Sequence, residues 1–191
     1  MSVEHKVVRA EVKVFLNKLR ALDLGPIAYK LMHPEKGRGW TKAKTVRAIA
    51  RYMAFLGLMY LYPDRLFVPT QEIDAVWHNH ILDTRKYHQD CELLFGRYVH
   101  HFPYFSLRGE ADEQTWQVAF AETQTIFKQH FGISPSNKLD RSKIWLKAEG
   151  DKNKGVRCSN LKDSDSKKKW ENRPTVDIKA EVLAVFPQPW N

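Results

Sequence analysis

Asp74-Ala75-Val76-Trp77-His78-Asn79-His80-Ile81-Leu82-Asp83-Thr84-Arg85-Lys86-Tyr87-His88-Gln89-Asp90-Cys91 is the densest stretch of chemistry in this chain, and its reading decides the fold. Pro69-Thr70 supplies a helix start, Glu72 and Asp74 put negative charge in the first turns, and Gly96 is suited to a left-handed stop. The stretch is therefore expected to be one helix over about 70 to 95, kinked or broken near His80. With the His100-His101-Phe102-Pro103-Tyr104 segment that follows, it gathers five of the chain's eight histidines, three aspartates and one of two cysteines.

The segments around it carry helical periodicity too. Val8, Val12, Phe15, Leu19 and Leu22 recur at steps of three and four, which predicts an amphipathic helix over 4 to 22. Gly25-Pro26 opens a short second helix that His33-Pro34 closes. Thr41 caps a third, running to about Leu61 with Val46, Ile49, Met53, Leu56 and Tyr60 as its apolar face. A fifth spans about Asp112 to His130 and ends at Gly132. Residues 1–132 thus read as one all-α bundle of about five helices.

Beyond Ser134-Pro135 the composition turns to Lys, Asp, Ser and Asn, too polar to offset its own ordering entropy. Most of 135–174 is expected to be mobile, within a basic, largely extended tail over 133–191. Val176, Ile178, Ala180, Val182, Ala184 and Phe186 then alternate like a strand, which either docks on its own domain or engages a protein partner through 176–190.

Composition bounds the rest. The chain has 191 residues, 43% of them hydrophobic, enough to close one core. No apolar run reaches the roughly 18 residues of a membrane span, and Met1 to Lys6 lacks the apolar run of a signal peptide. Cys91 and Cys158 suggest no disulfide framework. Together these predict a cytoplasmic protein. The net charge of +9 raises nucleic-acid binding, through Lys42, Lys44, Arg47 and Arg51 on the third helix with Lys167 to Lys169 of the tail. Those helix-three charges lie opposite its apolar stripe, where a plain solvated face also accounts for them.

Imidazole is the commonest metal ligand near neutral pH, and a neighbouring carboxylate either joins it or orients the ring. The candidate ligand set is Asp74, His78, His80 and one of His100 or His101, with His101 preferred. Asp83, Thr84, Arg85, Tyr87 and Cys91 stand around it as outer-sphere or substrate-binding candidates. Zinc accepts such a mixed set, and iron accepts two histidines plus a carboxylate while keeping positions open. The spacing is neither that of a zinc finger nor His-Glu-x-x-His. Equally open is a structural role, with His78 and His80 hydrogen-bonded to Asp74, Asp83 or Tyr87, Arg85 in a salt bridge and Cys91 as a small buried hydrophobe. A domain of that kind would be a non-enzymatic interaction module.

Asp74-x-x-Trp77-His78-x-His80-Ile81-Leu82-Asp83-Thr84-x-x-Tyr87-x-x-Asp90-Cys91, then Phe95-Gly96 and His101-x-Pro103, resembles the glycine-rich domain-containing protein-like family. The likeness extends to Pro69-Thr70 and the Tyr52 to Leu58 helix, and so over about 1 to 132. It implies no reaction: plant members are linked to stress and development, and some carry RNA-binding or glycine-rich additions. This chain has nine glycines and no glycine-rich tail.

Overall fold

The computed structural model describes residues 3–133, 135 and 173–186. Among these are seven helices and no strand: α1 (Val3–Ala21), α2 (Gly25–Met32), α3 (Lys42–Leu61), α4 (Gln71–Leu82), α5 (Thr84–Phe95), α6 (Glu110–Phe131) and α7 (Lys179–Val185). The all-α expectation holds.

Helix α3 is the axis of the fold. Thr41 caps it, its side chain accepting from Lys44 N at 3.3 Å. One apolar face was expected, yet Val46, Ala48, Ile49, Ala50 and the whole run Tyr52 to Leu58 are buried. Over Tyr52 to Leu58 the helix is apolar on every side and must be surrounded, and α1, α2, α4 and α7 pack around α3. From α1 come Phe15, Leu16 and Leu19, and from α2 Ile27, Ala28 and Leu31. Pro26 sits in the first turn of α2, where its missing N–H costs nothing.

The long helix predicted over 70 to 95 is two helices, and the joint is Asp83 rather than His80. Asp83 leaves helical geometry (φ −88°, ψ 72°) while its N–H still bonds His80 O at 3.1 Å. Its carboxylate then accepts from Lys86 N, so one residue ends α4 and caps α5. Gly96 closes α5 with φ +64°, the left-handed stop expected of it.

Helix α6 lies at the periphery. It begins two residues earlier than expected, with Glu110, Asp112 and Glu113 favourably placed in its first turn. Only Ala119, Thr123, Phe127 and Phe131 are buried, a stripe one residue wide. Thr123 Oγ1 accepts from Val68 N at 3.0 Å, and Tyr62 Oη meets His130 Nε2 at 2.7 Å.

The strand expected at the end of the chain is the helix α7. Ile178, Val182 and Phe186 belong to the alternating series but are also four apart, which is helical spacing. All three are buried against this domain's own core, so their apolar surface is spent in cis and not held out as a strand for a partner. Ahead of α7, Val176 N bonds Gly25 O at 3.3 Å. The approach is so close that a Cβ on Gly25 would meet Thr175 Oγ1 and the Val176 carbonyl. The mobile stretch predicted over 135–174 lies outside the described residues except for Pro135, Arg173 and Pro174, as do Lys167 to Lys169 and Trp190.

Candidate metal centre

Asp74 and His78 are one turn apart on α4, and the segment leaving α5 brings His101 to the same place. His101 Nε2 lies 2.9 Å from Asp74 Oδ1, and His78 Nε2 lies 3.5 Å from the same oxygen. One ligand atom from each residue can be chosen so that all three lie within 4.8 Å of one another, a group that could hold a metal ion. The imidazoles of His78 and His101 stand edge to face, 4.7 Å between centroids. Trp77 backs His101 from below at 4.6 Å, and the His78 side chain is 47% exposed. One side of the cluster is thus walled by an indole and the other is open to solvent.

Of the two adjacent histidines, His101 faces the cluster. His100 is exposed and packs on Tyr98.

His80, expected among the ligands, is not brought there. It is 1% exposed and both of its nitrogens are engaged: Nδ1 with Tyr52 Oη and Nε2 with Asp90 Oδ2, each at 2.9 Å. Burial raises the Tyr52 pKa well above its ordinary value, so the phenol keeps its proton and donates to Nδ1, leaving Nε2–H to donate to Asp90. Burial also lowers the His80 pKa, against the pull of Asp90, and the ring is neutral. An imidazole so engaged has no lone pair for an ion. Burial works to raise the Asp90 pKa, but the His80 hydrogen bond and the Lys86 ammonium, 2.8 Å away, outweigh it and hold the carboxyl below its usual range. Sequence reasoning missed this Tyr52–His80–Asp90–Lys86 chain. The four-residue spacing of Lys86 and Asp90 was its one local signal.

The outer candidates divide. Asp83 is the α4–α5 joint and takes the Arg173 guanidinium on both carboxylate oxygens, at 2.5 and 2.9 Å. Thr84 is exposed in the first turn of α5, and Arg85, half-buried, is engaged within the chain. Tyr87 Oη accepts from Trp77 Nε1–H at 2.9 Å and donates to Val99 O at 2.6 Å. Cys91 is a buried free thiol whose pKa burial raises, the setting of an inert core residue.

The basic residues of α3 are largely occupied at home. Lys42 pairs with Glu181, Arg51 with Glu72, and Lys44 lies over the Trp40 ring at 4.4 Å and 3.8 Å from Glu72. Arg47 is exposed. No described helix is long and apolar enough to cross a membrane.

An all-helical domain bearing a carboxylate and two imidazoles on one half-open face is the class of protein that fold and site define. More particularly, the chain belongs to the UCP032817-like family, whose model matches residues 35–130, and so to the glycine-rich domain-containing protein-like group. The matched segment runs from the loop before α3 almost to the end of α6 and contains Asp74, His78 and His101. The chain is also similar to Glycine-rich domain-containing protein 1 of Arabidopsis thaliana, 32% identical over 89 residues. That match covers 44% of this chain and 11% of the relative, so the chain spans about a tenth of that protein's length. No solved structure matches the chain.

Proposed function

We propose that this domain binds one divalent metal ion through Asp74 Oδ1, His78 Nε2 and His101 Nε2. The observation that carries the reading is the spacing of these atoms. Metal–ligand bonds of about 2.0–2.1 Å put neighbouring donors about 3–3.4 Å apart, and the two donor pairs that include Asp74 lie at 2.9 and 3.5 Å. Two imidazole nitrogens and one carboxylate suit zinc or iron(II). The exposure of His78 leaves the remaining coordination positions to water or a small ligand, as a metal that polarises a bound molecule requires. Occupying the site would replace the His101–Asp74 hydrogen bond with two metal bonds, the His101 ring carrying its proton on Nδ1 so that Nε2 offers its lone pair.

Elemental analysis of the full chain purified without a histidine tag, followed by calorimetric titration of the metal-free protein with zinc and, anaerobically, with iron(II), tests the reading. About one equivalent is expected, with Asp74→Ala and His78→Ala each abolishing stoichiometric binding. His80→Ala is expected to lower stability and keep the stoichiometry. Absence of binding in the wild type, or a stoichiometry lost only in His80→Ala, would sink it, and the Asp74–His101 contact would then be a structural latch between α4 and the following loop.

A further inference from the structure

We infer that Tyr87 is the positioning residue of the Asp74–His78–His101 centre, acting through a single hydroxyl that fixes both segments from which the ligands project. This rests on the metal reading above and adds to it the residue that sets the geometry.

The three donors come from two separate pieces of chain. Asp74 and His78 are on α4, whereas His101 lies six residues beyond the end of α5 in a segment without helical hydrogen bonds of its own. The His101–Asp74 hydrogen bond ties the imidazole itself to α4, but the backbone that carries His101 needs an anchor of its own. Tyr87, on α5, is 2% exposed and belongs to neither ligand-bearing segment. Its hydroxyl accepts from Trp77, the residue next to His78, and donates to the carbonyl of Val99, two residues before His101. Its acceptor and donor functions are thereby assigned to opposite sides of the site. Trp77 in turn meets the His101 imidazole edge to face at 4.6 Å between centroids, so the same indole is tied to Tyr87 by its N–H and packed on the ligand by its ring.

Phenylalanine would fill the same space and hold neither segment. It would leave the Trp77 N–H and the Val99 carbonyl buried without their partner, and each would move to find another. Metal sites tolerate displacements of only about 0.5 Å before affinity falls, and groups that orient ligands typically contribute 10- to 100-fold to affinity.

The test compares zinc affinity and His101 position in the full chain for wild type, Tyr87→Phe, Trp77→Phe and, as a remote control, Thr123→Val, which removes a buried hydroxyl on α6. Tyr87→Phe is expected to weaken zinc binding about 10- to 100-fold. It should also remove the nuclear Overhauser contact between the His101 and Trp77 rings in metal-free protein, with helical content retained. Trp77→Phe is expected to weaken binding in the same direction, and the double variant to be no weaker than the worse single, because both break one connection. Thr123→Val should lower stability and leave affinity and ring contact unchanged. If wild type binds no zinc while Tyr87→Phe still dislodges His101, the metal reading fails and the positioning role stands. Unchanged affinity and an intact ring contact in Tyr87→Phe would overturn the inference, as would an equal loss of affinity in Thr123→Val. Should Tyr87→Phe fail to fold, Trp77→Phe decides alone: unchanged affinity there overturns the inference.

Discussion

Arg173 lays its guanidinium across both carboxylate oxygens of Asp83, ninety positions earlier in the chain. Asp83 is the joint between α4 and α5, so the C-terminal strap grips the bend from which the site is built. A bidentate pair of this kind, about three-quarters buried on both sides, lies between the weak surface pair and the costly fully buried one. Arg173→Ala is expected to cost about 1–2 kcal/mol, read from urea denaturation. A double-mutant cycle with Asp83→Ala should return a favourable coupling; a coupling near zero would show that the cap, not the pair, holds the joint.

Gly25→Ala sets two effects against each other. Alanine at a helical position gains up to about 1 kcal/mol over glycine, but its Cβ would stand 2.1 Å from Thr175 Oγ1 and 2.8 Å from the Val176 carbonyl. The second neighbour is backbone and cannot swing aside, so overpacking of about 1–3 kcal/mol wins. The variant should be destabilised, and Gly25→Ala with Thr175→Ala should recover part of the loss. A rise in melting temperature for the single variant would refute the close approach.

Truncation of Val182, 4% exposed, tests whether α7 belongs to the core. Val182→Ala should cost about 1–2 kcal/mol in equilibrium unfolding. A change under about 0.3 kcal/mol would mean that α7 contributes no net stability.

Stability should fall on mild acidification. Burial lowers the folded-state pKa of His80 below the ordinary 6.5, and burial does the same to His130. The unfolded chain therefore takes up protons first. The contribution of these rings is complete above about pH 6.5 and declines as the pH drops from there through their folded values. Asp90, held below 3.8, keeps its contribution until more acid conditions. Burial raises Tyr52, so a second decline begins above pH 10. Urea midpoints at pH 7, 6 and 5 should decrease in that order, and His80→Gln should flatten the slope. An unaltered slope in that variant would remove His80 from the account.

Much of the helical fold was legible because it rests on periodicity and punctuation, both local. Thr41, Gly96 and Gly132 marked helix ends correctly, and α1 and α2 fall within a residue or two of expectation. The break at Asp83 was misplaced because aspartate there was read as ligand chemistry, although aspartate is also a strong N-cap. At α7, alternation and four-residue spacing coexist in Ile178, Val182 and Phe186, and only the groove beside α3 decides between them. In the candidate site, Asp74, His78 and His101 come together, whereas His80 does not. Two residues of spacing point His78 and His80 to different sides of α4, and which side faces solvent is a tertiary fact. Tyr52 and Asp90, the partners that silence His80, are 28 and 10 residues away from it.

The narrow seam of α6 has a kinetic consequence. A 22-residue helix held by Ala119, Thr123, Phe127 and Phe131, with Thr123 and His130 bonding the 62–68 segment, buries far less of its length than α3 does. Its amides should exchange with deuterium well before those of α3, through a partial opening that costs less than complete denaturation. The domain would then breathe at its rim while Asp74, His78 and His101 stay assembled.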